Sequence, residues 1–359
     1  MHRNIKYDYL IVGAGLFGAT CAYLLSYKKV LVIDKRNHIG GNIYTELNNG
    51  IYIHKYGAHI FHTSNKHIWD FVNSFTEFEP YTHQVIANYN GRLYNLPINM
   101  NTFYQLYGIS NIDELKLYIA NWDKQIKCPT NIEDYAIKMI GKKGYETLIK
   151  GYTEKQWNTS CDKLPIDIIK RIPVRTNWDN NYFDDLYQGI PVDGYTIMIE
   201  KMFSNADVML NTSFNIKEHY NIADKIIYCG SIDALFDYSL GKLPYRSLQF
   251  IEQLDDTGIG VPVINFTSAD VPYTRVIDHK LFLQSTSNLQ QSILTYEYPI
   301  TEGEPYYPII TQENMMLYAQ YVDMLKQYPK IVLGGRLGLY KYIDMDDTIE
   351  LAMNLCNYI

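Results

Sequence analysis

Residues 7 to 34 constrain this chain more than any other stretch. A strand-like "YDYLIV" runs into Gly13, Gly15 and Gly18, spaced as G-x-G-x-x-G, and a second strand-like run, "VLVID", ends on Asp34. Each glycine has a physical task in a βαβ unit that binds a dinucleotide. The first permits the tight turn, the second lets the backbone approach a pyrophosphate, and the third lets helix pack on strand; the first amides of that helix attract phosphate. Such a unit places an acid about 20 residues on, at the end of the second strand, where it accepts hydrogen bonds from a ribose hydroxyl. Asp34 stands there. Strand, glycines, helix, strand and acid in this order predict a doubly wound α/β nucleotide domain.

The same run, from Tyr9 to Tyr27, carries no formal charge and follows Arg3 and Lys6, as a signal peptide or membrane anchor does. Three glycines inside it favour the βαβ reading instead. After Asp34 the chain reads "DKRNHIGGN", and this closely following Gly40-Gly41 pair resembles FAD-binding oxidoreductases and their relatives more than nicotinamide enzymes. The end of the chain agrees. "KIVLGGRLGLYKYIDMDDTIELAMNL" reads as a buried strand, a glycine turn and a helix opening near Asp347, which suits a C-terminal segment returning to complete the nucleotide site. "GKKGYETL" lacks the spacing of a P-loop and reads as a helix junction.

With 359 residues, 47% of them hydrophobic, the chain can bury a sizeable core in two or three domains. A net charge of -7 and the lack of any long basic block oppose nucleic acid and anionic membranes as partners, so an anionic ligand needs locally placed arginines. Cys21, Cys128, Cys161, Cys229 and Cys356 are scattered and form no C-x-x-C, which indicates neither a disulfide framework nor a zinc site and suits a reducing cytoplasm.

The middle of the chain is organised differently. Asn90-Gly91 separates two strand-like runs, a hairpin signal, and residues from about 101 to 160 carry helical spacing. From Pro165 to about Pro308, short alternating runs predict mostly antiparallel strands, with a helix near Thr196 to Phe203 and a buried strand "KIIYCG". The expected fold is α/β, a Rossmann-like FAD-binding domain with a helical insertion and an antiparallel-sheet insertion. Residues 1–75, 190–240 and 312–359 form the discontinuous FAD-binding domain, 100–162 the helical domain, and 76–99, 163–189 and 241–311 the antiparallel-sheet substrate domain.

Those insertions hold the informative chemistry. "KGYTEKQWNTS" places Tyr152 and Trp157 near Lys155, "KRIPVRTNWDNNYF" places Arg171 and Arg175 around a proline with Tyr182 beyond, and "VINFTSADVPYTRVIDHK" adds Asn265, Tyr273 and Arg275. Arginine forks suit a diphosphate, and aromatic faces suit a uracil ring or the apolar face of a sugar. Equally, 34 tyrosines can reflect base composition, and most arginines only solvate a surface.

At these residues the sequence closely resembles a family. "YGAHIFHT", "GYTEKQW", "RIPVR", "NYFDDLYQGIPVDGYT", "VPYTRVIDHK", "EPYYPI" and "GGRLGLYKYIDMD" are similar, in order and spacing, to prokaryotic UDP-galactopyranose mutases. The resemblance implies a cytoplasmic, homodimeric flavoprotein isomerase that interconverts UDP-galactopyranose and UDP-galactofuranose on reduced FAD for surface glycans. It implies that N5 of the reduced flavin attacks the anomeric carbon, giving a covalent adduct that opens and recloses, with an external reductant for the flavin. Arg171 and Arg275 match the diphosphate-binding arginines; Tyr182, Tyr307 and Tyr342 match diphosphate-binding tyrosines; Trp157 matches a residue beside the sugar; Tyr152, Thr153 and Asn265 match the nucleotide end. Gly13, Gly15, Phe17, Gly18, Asp34, Lys35, Gly41, Asn42, Ile60, Gly335, Arg336, Asp344 and Met345 fall on cofactor positions.

His59 and His62 fall in the segment implied to lie beside the flavin, which makes them candidate catalytic residues touching cofactor or sugar, with a satisfied structural role the alternative for one of the two. A metal there needs further ligands and prefers nearby acids or cysteines, so none is expected. Asn158, Ala58 and His83 depart from the family pattern of glycine, proline and asparagine. Two other classes share parts of this sequence: a flavin oxidoreductase, which has no evident need of two arginines for a diphosphate, and a non-catalytic flavoprotein that binds UDP-sugars without turnover.

Overall fold

The computed structural model describes residues 6–126, 128–170 and 172–359. The chain divides into two compact units, one made of Met1–Pro80, Asp185–Arg246 and Glu304–Ile359, the other of Tyr81–Asp184 and Ser247–Gly303.

The first unit is built on a five-stranded sheet in the order Asp207–Met209, Val30–Ile33, Tyr7–Val12, Ala223–Tyr228, Ile331–Leu333. Every pairing is parallel, with Val12 opposite both Ile33 and Tyr228. Inner parallel strands are covered on both faces, which explains the fully apolar, fully buried Val30–Ile33, whereas the edge strand Asp207–Met209 is exposed. Tyr9 and Ile11 point to one face, where the helices Leu16–Leu24, Gly194–Met202 and Met345–Tyr358 contribute Ala19, Cys21, Met198 and Ile349. Leu10 and Val12 point to the other and pack with Phe214, Ile216, Leu325 and Tyr328. The strand order reverses between Tyr7–Val12 and Ala223–Tyr228, and a sheet of this type binds ligands outside the carboxyl ends of its strands at such a switch point. The C-terminal helix opens at Met345, two residues before the expected Asp347. A three-stranded antiparallel sheet of Phe61–Thr63, Tyr187–Pro191 and Phe78–Pro80 completes what this unit needs for the site.

In the second unit the strands run in the order Tyr245–Asp255, Ser292–Ile300, Arg275–Asp278, Val263–Phe266, Val85–Tyr89, Arg92–Leu96. Their pairings are antiparallel except that of Val263–Phe266 with Val85–Tyr89, which is parallel. Asn90 and Gly91 turn the expected hairpin with φ of 52° and 81°. The helices Met100–Tyr107, Ile112–Gln125 and Ile132–Gly144 each begin at an asparagine, Asn99, Asn111 or Asn131, whose side chain accepts an early backbone N–H. Such caps satisfy amides that have no partner within the helix. At Gly141 the backbone leaves the helix with φ 73° and ψ 163°, where a Cβ would lie 2.6 Å from the Trp122 ring. The expected helix junction is therefore a kink that only glycine fits, followed by a wide helical turn over Tyr145–Lys150 and the helix Gly151–Trp157.

Candidate active site

In the first unit the glycines meet where the sheet reverses its order. Gly13 follows the first strand with φ 118°, and a Cβ on it would lie 3.0 Å from that of Cys229, which follows the neighbouring strand. A Cβ on Gly18 would lie 2.1 Å from the Gly13 carbonyl oxygen, so helix and turn touch through backbone. Gly41, with φ 55°, sits against Gly15, where a Cβ would come 2.9 Å from the Gly15 Cα. Gly40 N–H donates to the Ala14 carbonyl at 2.8 Å. These are the close approaches a pyrophosphate cradle requires. Asp34 accepts Ala14 N–H at 2.7 Å with one carboxylate oxygen and Arg36 N–H at 2.8 Å with the other, which holds the glycine turn beside the second strand.

The C-terminal segment does return to this point. Gly334 faces the Phe17 ring so closely that a Cβ would lie 2.2 Å from it, and Gly335 takes φ 67° beside Cys229. Burial pushes the Cys229 thiol far up, which keeps it an inert packing group. Arg336 places its guanidinium 5.3 Å from the Tyr342 ring and 6.0 Å from the Tyr307 ring, with the two rings 5.7 Å apart. Its Nη2 donates to the Ile343 carbonyl at 3.4 Å. Met345 packs on the core, and Asp344 begins its helix, accepting Thr348 Oγ1 on its backbone carbonyl. The residues fit a dinucleotide cofactor: a cradle closed by glycines in the segments that follow three strands, with an acid and an arginine beside it.

Three residues near Asp34 have partners the sequence did not reveal. Lys35 Nζ pairs with Glu304 at 2.7 Å, Arg36 lies 4.6 Å over the Tyr56 ring and donates to Asn42 Oδ1 at 3.2 Å, and His38 stacks on Tyr44 at 4.0 Å. His38 Nε2 is 2.6 Å from Tyr56 Oη, and burial is the main reason its pKa is lowered.

The two histidines are held in different ways. His59 Nδ1 hydrogen-bonds the Gly57 carbonyl at 2.8 Å, while its backbone N–H donates to His54 Nδ1 at 3.1 Å and its carbonyl accepts Tyr195 Oη at 3.1 Å. His62 Nδ1 pairs with Asp185 at 2.7 Å. Ile60 between them is buried. Among the described residues no group of three or more His, Cys, Asp or Glu is arranged to hold a metal ion.

The second unit carries an arginine-centred cluster. Arg275 Nε donates to Asn265 Oδ1 at 3.2 Å and Nη2 to Tyr152 Oη at 3.3 Å, and Nη1 lies 3.6 Å from the buried Glu297. Arg275 stands opposite both Asn265 and Glu297 in the strand register, so the sheet itself sets this spacing. Thr153 is buried one residue after Tyr152, and Trp157 is half-buried at the end of the same short helix. Asn158 caps that helix with φ 49° and ψ 37°, a left-handed conformation that asparagine tolerates better than most residues, so it fills the role expected of glycine. Tyr182 lies with His83 and Phe183 instead: its N–H donates to the His83 carbonyl at 2.7 Å, and His83 stacks on Phe183 at 5.6 Å. Arg175 is committed to its own segment, paired with the Asn181 carbonyl and with Asp184. Arg171 lies outside the described residues.

Fold and clusters together define a Rossmann-type nucleotide-binding α/β protein whose second unit presents a fixed guanidinium. Residues 147–342 match the family described as UDP-galactopyranose mutase, and residues 11–75 match the NAD(P)-binding Rossmann-like domain. The chain is 40% identical over 357 residues to a probable UDP-galactopyranose mutase of Klebsiella pneumoniae, spanning 96% of this chain and 92% of that protein. It is 37% identical over 366 residues to a dTDP-fucopyranose mutase of Escherichia coli, spanning 96% of each. To a UDP-galactopyranose mutase of Mycoplasma genitalium it is 32% identical over 382 residues, spanning 97% of this chain and 93% of that one. A crystal structure of reduced UDP-galactopyranose mutase shares the fold, with a TM-score of 0.77 at 14% identity over 98% of this chain and 93% of the other. The chain belongs to the UDP-galactopyranose mutase family.

Proposed function

We infer that this protein is a flavin-dependent isomerase that interconverts UDP-galactopyranose and UDP-galactofuranose. Family membership carries the reaction class, and the Arg275, Asn265 and Tyr152 cluster is the observation that supports a diphosphate-linked substrate. Reduced FAD, when bound, supplies the nucleophile toward the sugar's anomeric carbon. The chain's own residues bind, orient and neutralise. Gly13, Gly15, Gly18 and Gly41 admit the cofactor's pyrophosphate, with Asp34 for a ribose, and Phe17, Lys35, Asn42, Ile60, Gly335, Arg336, Asp344 and Met345 complete its site. Arg275, with Arg171, holds the diphosphate, and because UDP gains charge as it departs, a fixed guanidinium stabilises the transition state more than the ground state. Glu297, buried behind Arg275, keeps that guanidinium in place. Tyr182, Tyr307 and Tyr342 assist at the diphosphate, Trp157 borders the sugar, Tyr152, Thr153 and Asn265 hold the nucleoside, and His59 and His62 touch cofactor or sugar.

The expected division into FAD-binding, helical and substrate domains is proposed as a division of these tasks. A homodimer, a cytoplasmic location, an external reductant and a role in supplying surface glycans are proposed on the same family resemblance. Among the described residues no helix is long and apolar enough to cross a membrane.

The test is to incubate the purified, dithionite-reduced protein with UDP-galactofuranose and separate the products, with an oxidised arm and a dTDP-fucopyranose arm. Conversion to UDP-galactopyranose only when reduced is the expected result. Substrate-driven consumption of an electron acceptor favours an oxidoreductase instead, and preferential turnover of the dTDP-sugar reassigns the substrate.

A further inference from the structure

We propose that Lys155 is a positioning residue of this site: its ammonium fastens the turn between Val263–Phe266 and Arg275–Asp278 to the helix bearing Tyr152, and so aims Arg275 and Asn265. The inference rests on the reading of Arg275 as the diphosphate-binding group.

Three backbone carbonyls converge on Lys155 Nζ: Phe266 at 2.8 Å, Val271 at 2.9 Å and Tyr273 at 3.0 Å. An ammonium has three N–H donors and no acceptor, so this arrangement uses all it can give. The acceptors belong to the last residue of the first strand, to the turn, and to the residue two before Arg275. The turn is also tied by Thr267, whose Oγ1 donates to the Thr147 carbonyl at 2.7 Å. Helix and turn meet through backbone at Gly151, where a Cβ would lie 2.3 Å from the Thr267 carbonyl oxygen. Tyr152 follows Gly151 and takes its hydrogen bond from Arg275, so one short helix holds both ends of this device. A neutral side chain in place of Lys155 leaves three carbonyl oxygens without their donor. A planar guanidinium cannot aim one nitrogen at all three.

Burial pushes the Lys155 pKa down to about 8, opposed by the charge of Asp270 on the turn. Tyr152 and Glu154 on its own helix, Tyr273 on the turn, and Arg275, Asp278, Tyr296, Glu297 and Tyr298 on the adjoining strands are the other titratable groups of these elements. On losing a proton the amine keeps two N–H donors and turns a lone pair toward the carbonyls, which loosens the turn. The fold does not weaken with it. In the unfolded chain the lysine holds its proton to its ordinary 10.5, so between about 8 and 10.5 the unfolded state binds more protons, and this group adds stability as pH rises. A loss of ligand affinity across that range is therefore a loss of aim and not of folding.

The experiment measures UDP affinity by calorimetry on the FAD-loaded full chain, for wild type, Lys155→Met and Lys155→Arg, at about pH 7 and about pH 9. Lys155→Met should keep its FAD and bind UDP roughly 10-fold to 100-fold more weakly at about pH 7. Wild type should lose roughly 3-fold to 10-fold between the two pH values beyond any loss in Lys155→Arg, whose guanidinium does not titrate and so reports pH effects on the ligand itself. A folded, FAD-loaded Lys155→Met protein that binds UDP within about twofold of wild type overturns the proposal. So does a wild-type pH response equal to that of Lys155→Arg, a result that stands even where Lys155→Met fails to fold. A wild type that binds UDP at neither pH overturns the diphosphate reading and this inference with it.

Discussion

Asp185 Oδ2 lies 2.7 Å from His62 Nδ1, and its second oxygen accepts Ser64 Oγ at 2.7 Å. An ionised carboxylate only accepts, so Nδ1 carries the proton and the orientation of the imidazole is fixed by a residue on a separate stretch of chain. Asp185→Asn keeps the shape and can turn its amide NH2 toward Nδ1, favouring the other tautomer. The expected result is a roughly 10-fold fall in kcat with FAD content unchanged, since proton-positioning groups of this kind contribute about 10²-fold or more when lost outright. Unchanged kcat in a folded variant would remove His62 from the working site.

Arg275 is tested by removal and by replacement. Arg275→Ala takes the cation from the departing diphosphate and from buried Glu297, which keeps its hydrogen bond from Thr274 Oγ1 at 3.2 Å, and should cost about 2 to 5 kcal/mol in kcat/KM, or roughly 30-fold to several-thousand-fold. Lysine should rescue only part, since a point charge cannot donate to Asn265, Tyr152 and a phosphate in a fixed fork. Arg171→Ala should behave alike, while Arg175→Ala should lower the melting temperature with a small effect on turnover, because Arg175 is paired with Asn181 and Asp184. A silent Arg275→Ala in steady-state assays with UDP-galactofuranose counts against the whole substrate assignment.

Gly18 has no room for a side chain. In Gly18→Ala the new Cβ would lie 2.1 Å from the Gly13 carbonyl and 3.1 Å from Ile11 Cγ2, so the helix must move off the strand that ends in the cofactor turn. Overpacking of this kind costs about 3 kcal/mol or more. The purified variant should be nearly colourless and melt well below wild type. Gly91→Ala is the contrast: its φ of 81° is unfavourable, yet nothing stands within 4 Å, so it should cost about 1 to 2 kcal/mol and leave FAD bound. Full FAD occupancy in Gly18→Ala, judged from the flavin absorbance per chain, is the result that defeats the cradle.

What the sequence revealed and what it hid divide along physical lines. The glycine turn, Asp34 and the hairpin at Asn90-Gly91 were legible because their determinants are local: a backbone torsion, a turn, an apolar run. His62 was not paired from the sequence because its acid lies 123 residues away, brought beside it by the pairing of Phe61–Thr63 with Tyr187–Pro191. The parallel pairing of Val85–Tyr89 with Val263–Phe266 carries no turn signal for the same reason. Lys155 was hidden differently, since its partners are backbone carbonyls and no residue type marks them. Residue type and spacing alone do not separate Arg175 from Arg171; the family resemblance chose Arg171, and the structure shows Arg175 paired with the Asn181 carbonyl and Asp184.

Tyr342 separates two contributions that the sequence alone cannot. Its ring lies 5.3 Å from the Arg336 guanidinium and 5.7 Å from the Tyr307 ring, while 44% of the residue is exposed, so the ring has structural partners and the residue is not closed off from solvent. A cation over an exposed aromatic face is worth about 0.5 to 1 kcal/mol, and a hydrogen bond to a charged phosphate about 1.5 to 3 kcal/mol. Tyr342→Phe keeps the first and removes the second. KM for UDP-galactofuranose should rise roughly 10-fold while FAD content holds. Tyr342→Ala removes both and loosens Arg336, so it should raise KM further and weaken FAD retention in gel filtration. If Tyr342→Phe is silent while Tyr342→Ala loses flavin, Tyr342 serves the cofactor through its ring alone and leaves the diphosphate to the arginines.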